Sequence, residues 1–237
     1  MCRAISGIAI LADGVVRVYT SRRTDSHTAI REEHHIRDDG GPGASRQTPV
    51  ELVPVGGVDR LADMIFAFGD DRPDWWTDEH TDQAKAQLFA AWRERWTGTA
   101  LAFAGDLDLG ALTSLPAGVK LSAGNDLDLG ALTSLPAGVK LSAGNDLYLS
   151  SLTSLPAGVK LSAGNNLDLS SLTSLPAGVK LSAGGYLNLG ALTSLPAGAK
   201  LSAGGYLDLG ALTSLPAGAT RESIRARARA RWQREKK

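Results

Sequence analysis

Leucine returns on a fixed period through the second half of the chain. Residues 101–220 divide into six units of 20 residues that begin at Leu101, Leu121, Leu141, Leu161, Leu181 and Leu201. Six apolar columns run through the units, starting at Leu101, Leu107, Leu109, Leu112, Leu115 and Val119. A single coil of this length cannot bury so many apolar side chains, whereas a stack of coils can, so the pattern predicts a solenoid. Two alternating runs, Val119-Lys120-Leu121 and Asp126-Leu127-Asp128-Leu129, predict short strands with leucines inward and Asp126 and Asp128 outward. Leu115-Pro116-Ala117-Gly118 reads as a type I turn with Pro second and Gly fourth. Ser122-Ala123-Gly124-Asn125 supplies a second bend. Coils stacked as parallel strands roughly 4.8 Å apart would make a body roughly 29 Å long.

The first 100 residues carry no such period. Ala4–Leu11 and Val15–Thr20 read as strands joined at Ala12-Asp13-Gly14, a hairpin signal. Ser26–Ile36 reads as a short helix, Asp38 to Pro49 as a polar Gly-rich loop, and Val50–Val55 and Met64–Gly69 as strands. Thr77 opens a helix with Leu88, Trp92 and Trp96 on one stripe, stopped at Gly98. The last helix is expected to pack on the first coil. Beyond the repeats, Thr220 is placed to cap a helix from Arg221 to about Gln233, with Ile224, Ala228 and Trp232 four apart on one stripe. The expected fold is a small α+β head (1–100), a six-coil, mainly parallel β-solenoid (101–220) and a basic C-terminal capping helix (221–237).

The phrase Leu-Thr-Ser-Leu-Pro followed by Gly-Val-Lys-Leu resembles the short leucine-rich repeats of bacterial secreted effectors. It resembles more closely the leucine-rich-repeat-like β-solenoid repeats of bacterial and phage proteins. The regular Leu-x-x-Leu-x-Leu-x-x-Asn spacing of ordinary leucine-rich repeats is missing, so an almost all-β coil is expected. In the head, Met1-Cys2-Arg3-Ala4-Ile5-Ser6, Asp25-Ser26-His27, Asp38-Asp39 and Pro73-Asp74-Trp75-Trp76 resemble an uncharacterised head domain of bacterial and phage proteins. That resemblance implies a phage or mobile-element setting and carries no established chemistry.

Charge sharpens the division. The chain is formally neutral, yet residues 1–100 hold 12 basic and 16 acidic side chains, residues 101–220 hold 5 and 7, and residues 221–237 hold 8 and 2. A basic tail therefore follows a mildly acidic body. The single cysteine, Cys2, excludes an intramolecular disulfide and fits a reducing cytoplasm. No apolar run is long enough to span a membrane, and no signal peptide is evident.

The letters that change between repeats fall on one strand face. One column reads Asp106, Asp126, Asp146, Asn166, Tyr186, Tyr206; the next reads Asp108, Asp128, Tyr148, Asp168, Asn188, Asp208. Acidic near the head and aromatic toward the tail, this strip is a candidate surface for a basic partner, because tyrosine gives contact area at low entropic cost. The competing reading is drift, since solvated positions of duplicated repeats vary first. The Lys120, Lys140, Lys160, Lys180 and Lys200 ladder reads as a solvated face that discourages edge pairing. The Thr113 and Ser114 hydroxyl rows raise ice binding as a minor option.

Catalysis has one candidate. If Met1 is removed, Cys2 becomes an N-terminal nucleophile with its own amine as base, as in N-terminal nucleophile hydrolases and glutamine amidotransferases. Arg3 stands where the amidotransferase pattern has Gly. His27 and His34 are seven apart, and His80 has Asp78 and Glu79 beside it, yet no spacing supports zinc and no metal or cofactor is expected. Arg221, Arg225, Arg227, Arg229 and Arg231 make the tail a cap or, alternatively, an arm for nucleic acid. The reading is a non-enzymatic, cytoplasmic, phage-type protein that binds a host defence or regulatory protein. A Cys2-dependent hydrolase is the alternative.

Overall fold

The computed structural model describes residues 5–23, 26–37, 46–55, 58 and 63–213, together with the backbone of 224–226. Cys2, Asp25, Asp38 and Asp39 lie outside the described residues, as do Arg221, Arg227, Arg229 and Arg231.

The head is a four-stranded antiparallel sheet with a helix against it on either side. Its strands are β1 (Ile5–Ala12), β2 (Val15–Tyr19), β3 (Arg46–Pro54) and β4 (Met64–Phe68), in the order β2-β1-β3-β4. Ala12 pairs with Val15, so Asp13 and Gly14 form the two-residue hairpin turn. Helix α1 (His27–Glu33) begins at Ser26, whose hydroxyl accepts the Ala29 amide. Helix α2 (Asp78–Arg95) begins at Thr77 in a capping box with His80. The predicted loop from Asp38 to Pro49 ends early, because Arg46–Pro49 already pairs with β1 as the start of β3.

Edge strand β2 is closed by side chains. Gln83 and Gln87 of α2 accept the amides of Val16 and Val18, and Gln87 returns a hydrogen bond to the Val16 carbonyl. The amides that would otherwise template a further strand are thereby satisfied.

The repeats build a β-solenoid with two parallel sheets. The four-residue strands are β5 (Ala100–Phe103) and Lys120–Ala123, Lys140–Ala143, Lys160–Ala163, Lys180–Ala183 and Lys200–Ala203, the last being β15. The second sheet contains two-residue strands running from β6 (Leu107–Asp108) to β16 (Leu207–Asp208). All six predicted columns face inward, and the leucines of the second, third and fourth columns are fully buried through Leu192. A seventh inward column, Phe103 and then Ala123, Ala143, Ala163, Ala183 and Ala203, was hidden by alanine's weak hydrophobic signal.

Two glycine columns fix the corners. The first corrects the predicted turn. It runs one residue later, from Pro to Val or Ala, with the Val159 amide donating to the Pro156 carbonyl at 3.4 Å. Glycine thus holds the third place with positive φ, +75° at Gly158, as in a type II turn rather than type I. The second column, Gly124 to Gly204, lets adjacent coils touch. A Cβ at Gly144, Gly164 or Gly204 would lie 1.9 Å from the carbonyl oxygen of the coil before. The first coil has Ala104 there, exposed.

Head and solenoid share one core, in which Leu88 and Trp92 of α2 join Leu101 and Phe103 of the first coil. The Trp92 indole donates to the Val58 carbonyl at 2.7 Å, and the Thr113 amide donates to the Val55 carbonyl at 3.3 Å. The Arg95 guanidinium lies over the Phe103 ring, 4.8 Å from its centroid.

The tail departs from expectation where it is described. Ile224–Ala226 forms a strand, β17, parallel to β15, with Leu201 opposite Ile224 and Ala203 opposite Ala226. A helix from Arg221 to Gln233 is excluded at these residues. The exposed edge of the sheet binds the backbone as a strand, and a helix there would leave that edge's polar groups unmet.

Candidate binding strip on the solenoid

The strip predicted from the varying letters lies along the two-residue strands, and apart from exposed Asp106 its side chains are half-buried rather than freely solvated. Its first column is a hydrogen-bond ladder between coils. A side-chain oxygen of Asp106 accepts the Asp126 amide at 3.2 Å, and Asp126 accepts the Asp146 amide at 3.0 Å. Asp146 accepts the Asn166 amide and Asn166 the Tyr186 amide, both at 2.9 Å. Asn145 and Asn165 reinforce it, donating to the carboxylates of Asp126 and Asp146. At Tyr186 and Tyr206 the column carries no carboxylate or amide oxygen to continue the ladder.

The second column closes turns within each coil. Asp108, Asp128, Asp168, Asn188 and Asp208 each accept the amide two residues on, at 2.8–3.1 Å. This is the Asx turn that short acidic and amide side chains favour. Tyr148 has no such acceptor and instead donates its hydroxyl to Asp146 at 3.0 Å. Most of the aspartates therefore have structural work that the sequence pattern did not reveal. A signal was available: Asn precedes Asp or Asn in three coils, while Gly precedes both tail-side tyrosines.

The tail end of the strip is different in kind. The Tyr186 and Tyr206 rings stack, with centroids 5.3 Å apart and planes at 22°. The Tyr186 hydroxyl donates to Asp208 at 3.1 Å. Burial first, then the Asp208 charge and hydrogen bond, pushes the Tyr186 phenol up to about 12. Burial and the bond to Asp146 likewise push Tyr148 up to about 12. Burial raises the Asp128 carboxyl, against the Gly130 amide and with help from Asp108. Burial also acts to raise Asp146, but bonds from the Asn166 amide, Tyr148 and the Asn166 and Asn165 side chains outweigh it and hold the carboxyl below its ordinary value.

The lysine ladder lies on the other sheet, where all five side chains are exposed. The threonine row is partly engaged: Thr153, Thr173 and Thr213 donate their hydroxyls to the threonine carbonyl of the preceding coil.

In the head, the histidines serve separate local roles. His27 packs near Glu51, at 4.0 Å, and burial lowers its basicity more than Glu51 restores it. His34 contacts the Thr20 carbonyl, and His80 completes the α2 cap. Among the described residues, no group of three His, Cys, Asp or Glu side chains could hold a metal ion. Trp76 is buried against Phe66 and Phe68, with its indole donating to Thr81, so the Trp75-Trp76 pair anchors the head core. Among the described residues, no helix is long and apolar enough to cross a membrane.

Comparison of the chain with protein-family models, with curated proteins and with solved structures gives no match.

Proposed function

We propose that the protein is a non-enzymatic binding protein whose solenoid presents the tyrosine-bearing end of the strip to a basic partner. The stacked Tyr186–Tyr206 pair carries this reading. Four coils use an Asx side chain in that column to accept the next coil's amide, so a tyrosine there forgoes a bond between coils. What the two rings supply instead is a semi-rigid aromatic surface beside Asp168 and Asp208. Surfaces of this composition anchor protein interfaces. The phage setting implied by the head's resemblance makes a host defence or regulatory protein in the cytoplasm the proposed target.

The test is affinity capture from bacterial lysate with the full chain, followed by titration of the recovered protein. Tyr186→Ala with Tyr206→Ala should weaken binding by roughly 2 kcal/mol or more. Replacing Lys140 and Lys160 on the other sheet should leave it unchanged. Binding should tighten at low salt, since exposed charges are screened beyond about 8 Å at physiological ionic strength. Wild-type affinity in the tyrosine variant, with loss on substitution of head residues, would reduce the solenoid to a spacer.

A further inference from the structure

We propose that the outer edge of β4 pairs with the same edge of a second copy of the chain, so that the head sheets of two molecules run on as one. This inference is independent of the partner reading. It starts from the unequal treatment of the two edges of the head sheet. On β2 the Gln83 and Gln87 side chains take up the amides that a further strand would need. The opposite edge is β4. There the Val55 amide donates to the Asp63 carbonyl and the Gly69 amide to the Pro49 carbonyl. Those two bonds fix the alternation of the antiparallel pair. Ile65 and Ala67 turn their amides and carbonyls to β3, and Phe66 and Phe68 turn theirs outward. Among the described residues, no strand or loop backbone takes up these outward groups. Such an edge is a template for another strand.

The occupant that fits is the edge itself. Met64–Phe68 carries no charge, so two copies bring no like charges together along the strand. Met64 is buried, whereas Ile65 is 55% exposed, so the contact sits toward the Phe68 end with Ala67 on the two-fold axis. In that register Phe66 lies opposite the second copy's Phe68, and Phe68 opposite its Phe66, and each pair exchanges both of its hydrogen bonds. Ala67 meets the second copy's Ala67 in the narrow kind of pair, where side chains come closest and a methyl group fits. Ile65 falls over the second copy's Gly69, which has no side chain to obstruct it, and leaves water. The contact uses the same patch twice and is therefore closed. Further strands cannot add, because the remaining edge of each head is the one occupied by Gln83 and Gln87. At either end Asp63 of one copy comes opposite Asp71 of the other, so screening by salt favours the pair.

Sedimentation equilibrium of the full chain over about 1–100 μM tests the pairing. The expected result is a reversible monomer–dimer equilibrium with no larger species, and a dimer that tightens as salt rises. Ala67→Glu sets two carboxylates on the axis and should weaken association by about tenfold or more, and Ala67→Lys should do the same with two ammonium groups. Mixing these two variants should restore association. Ile65→Thr, at an exposed position that the single head does not need buried, should weaken it severalfold, whereas Val15→Glu, exposed beside the other edge, should not. A monomer throughout the range would overturn the proposal. So would association that is unchanged in the Ala67 and Ile65 variants, a mass that grows beyond two chains, or a dimer that loosens as salt rises.

Discussion

Gly164→Ala should loosen the solenoid although it removes nothing and adds one methyl group. The new Cβ would lie 1.9 Å from the Gly144 carbonyl oxygen and 2.8 Å from its carbon, where contacts below 3.0 Å are not tolerated. Both are backbone atoms, so no rotamer change relieves the clash, and the two coils must part locally by about 1.1 Å. The same corner holds the Gly164 amide 3.1 Å from the Ala143 carbonyl and the Asn165 amide 2.9 Å from the Asn145 carbonyl. Parting of that size breaks both bonds, at about 1 kcal/mol each. Looser contact between the leucines above and below adds about 1–2 kcal/mol. Alanine restricts the unfolded chain and returns about 0.4–1 kcal/mol. The net expectation is a loss of about 2–3.5 kcal/mol, read by urea denaturation followed by circular dichroism. Gly105→Ala is the control: its Cβ meets nothing within 4 Å, and stability should stay within about 0.5 kcal/mol. Equal stability of the two variants would refute the close-approach argument.

Three further outcomes are expected. Leu149→Ala, in a fully buried column, should cost about 2–5 kcal/mol in denaturant melts, and Asp128→Ala, which loses the cap on the Gly130 amide, about 0.5–1.5 kcal/mol. Asp146 has a lowered folded pKa, so its charged form adds stability above the ordinary carboxylate value, and that stability is lost as pH falls through the folded pKa; the advantage of wild type over Asp146→Asn should therefore shrink on acidification from neutral pH, and a gap independent of pH would count against it. Ultraviolet titration should show Tyr148 and Tyr186 ionising only at about 12, and Asp208→Asn should bring Tyr186 down.

The solenoid was legible because its leucines repeat without error, and a period written six times leaves no ambiguity about which face is buried. The head's helix starts were legible for a local reason: Ser26 and Thr77 are side-chain acceptors at the right distance from free amides. The start of β3 was not, because Arg46–Thr48 carries no apolar alternation and gains its pairing from β1. The helix expected in the tail fails at Ile224–Ala226 because the sequence spacing of Ile224, Ala228 and Trp232 suits two periods at once. Positions four apart share a helix face, and they also share a strand face. Ala226 is too weakly apolar to decide between the two, and at Ile224–Ala226 the adjacent sheet edge does so instead. The strip was found in the right place, yet its aspartates were read as solvated display. A hydrogen bond from a side chain to a backbone 20 residues away leaves no trace in hydrophobic patterning.

Ala104 gives the array a fixed origin. With alanine where later coils need glycine, the first coil has no room for a predecessor at that corner. Beyond it, every corner glycine is interchangeable, because each answers only to the coil before it. Length is therefore a free variable on the tail side of that origin. Inserting one 20-residue unit after Ala143 should move everything beyond it by one step, about 4.8 Å, without touching the head. The molecule can be lengthened or shortened in whole steps, like a ruler read from one end.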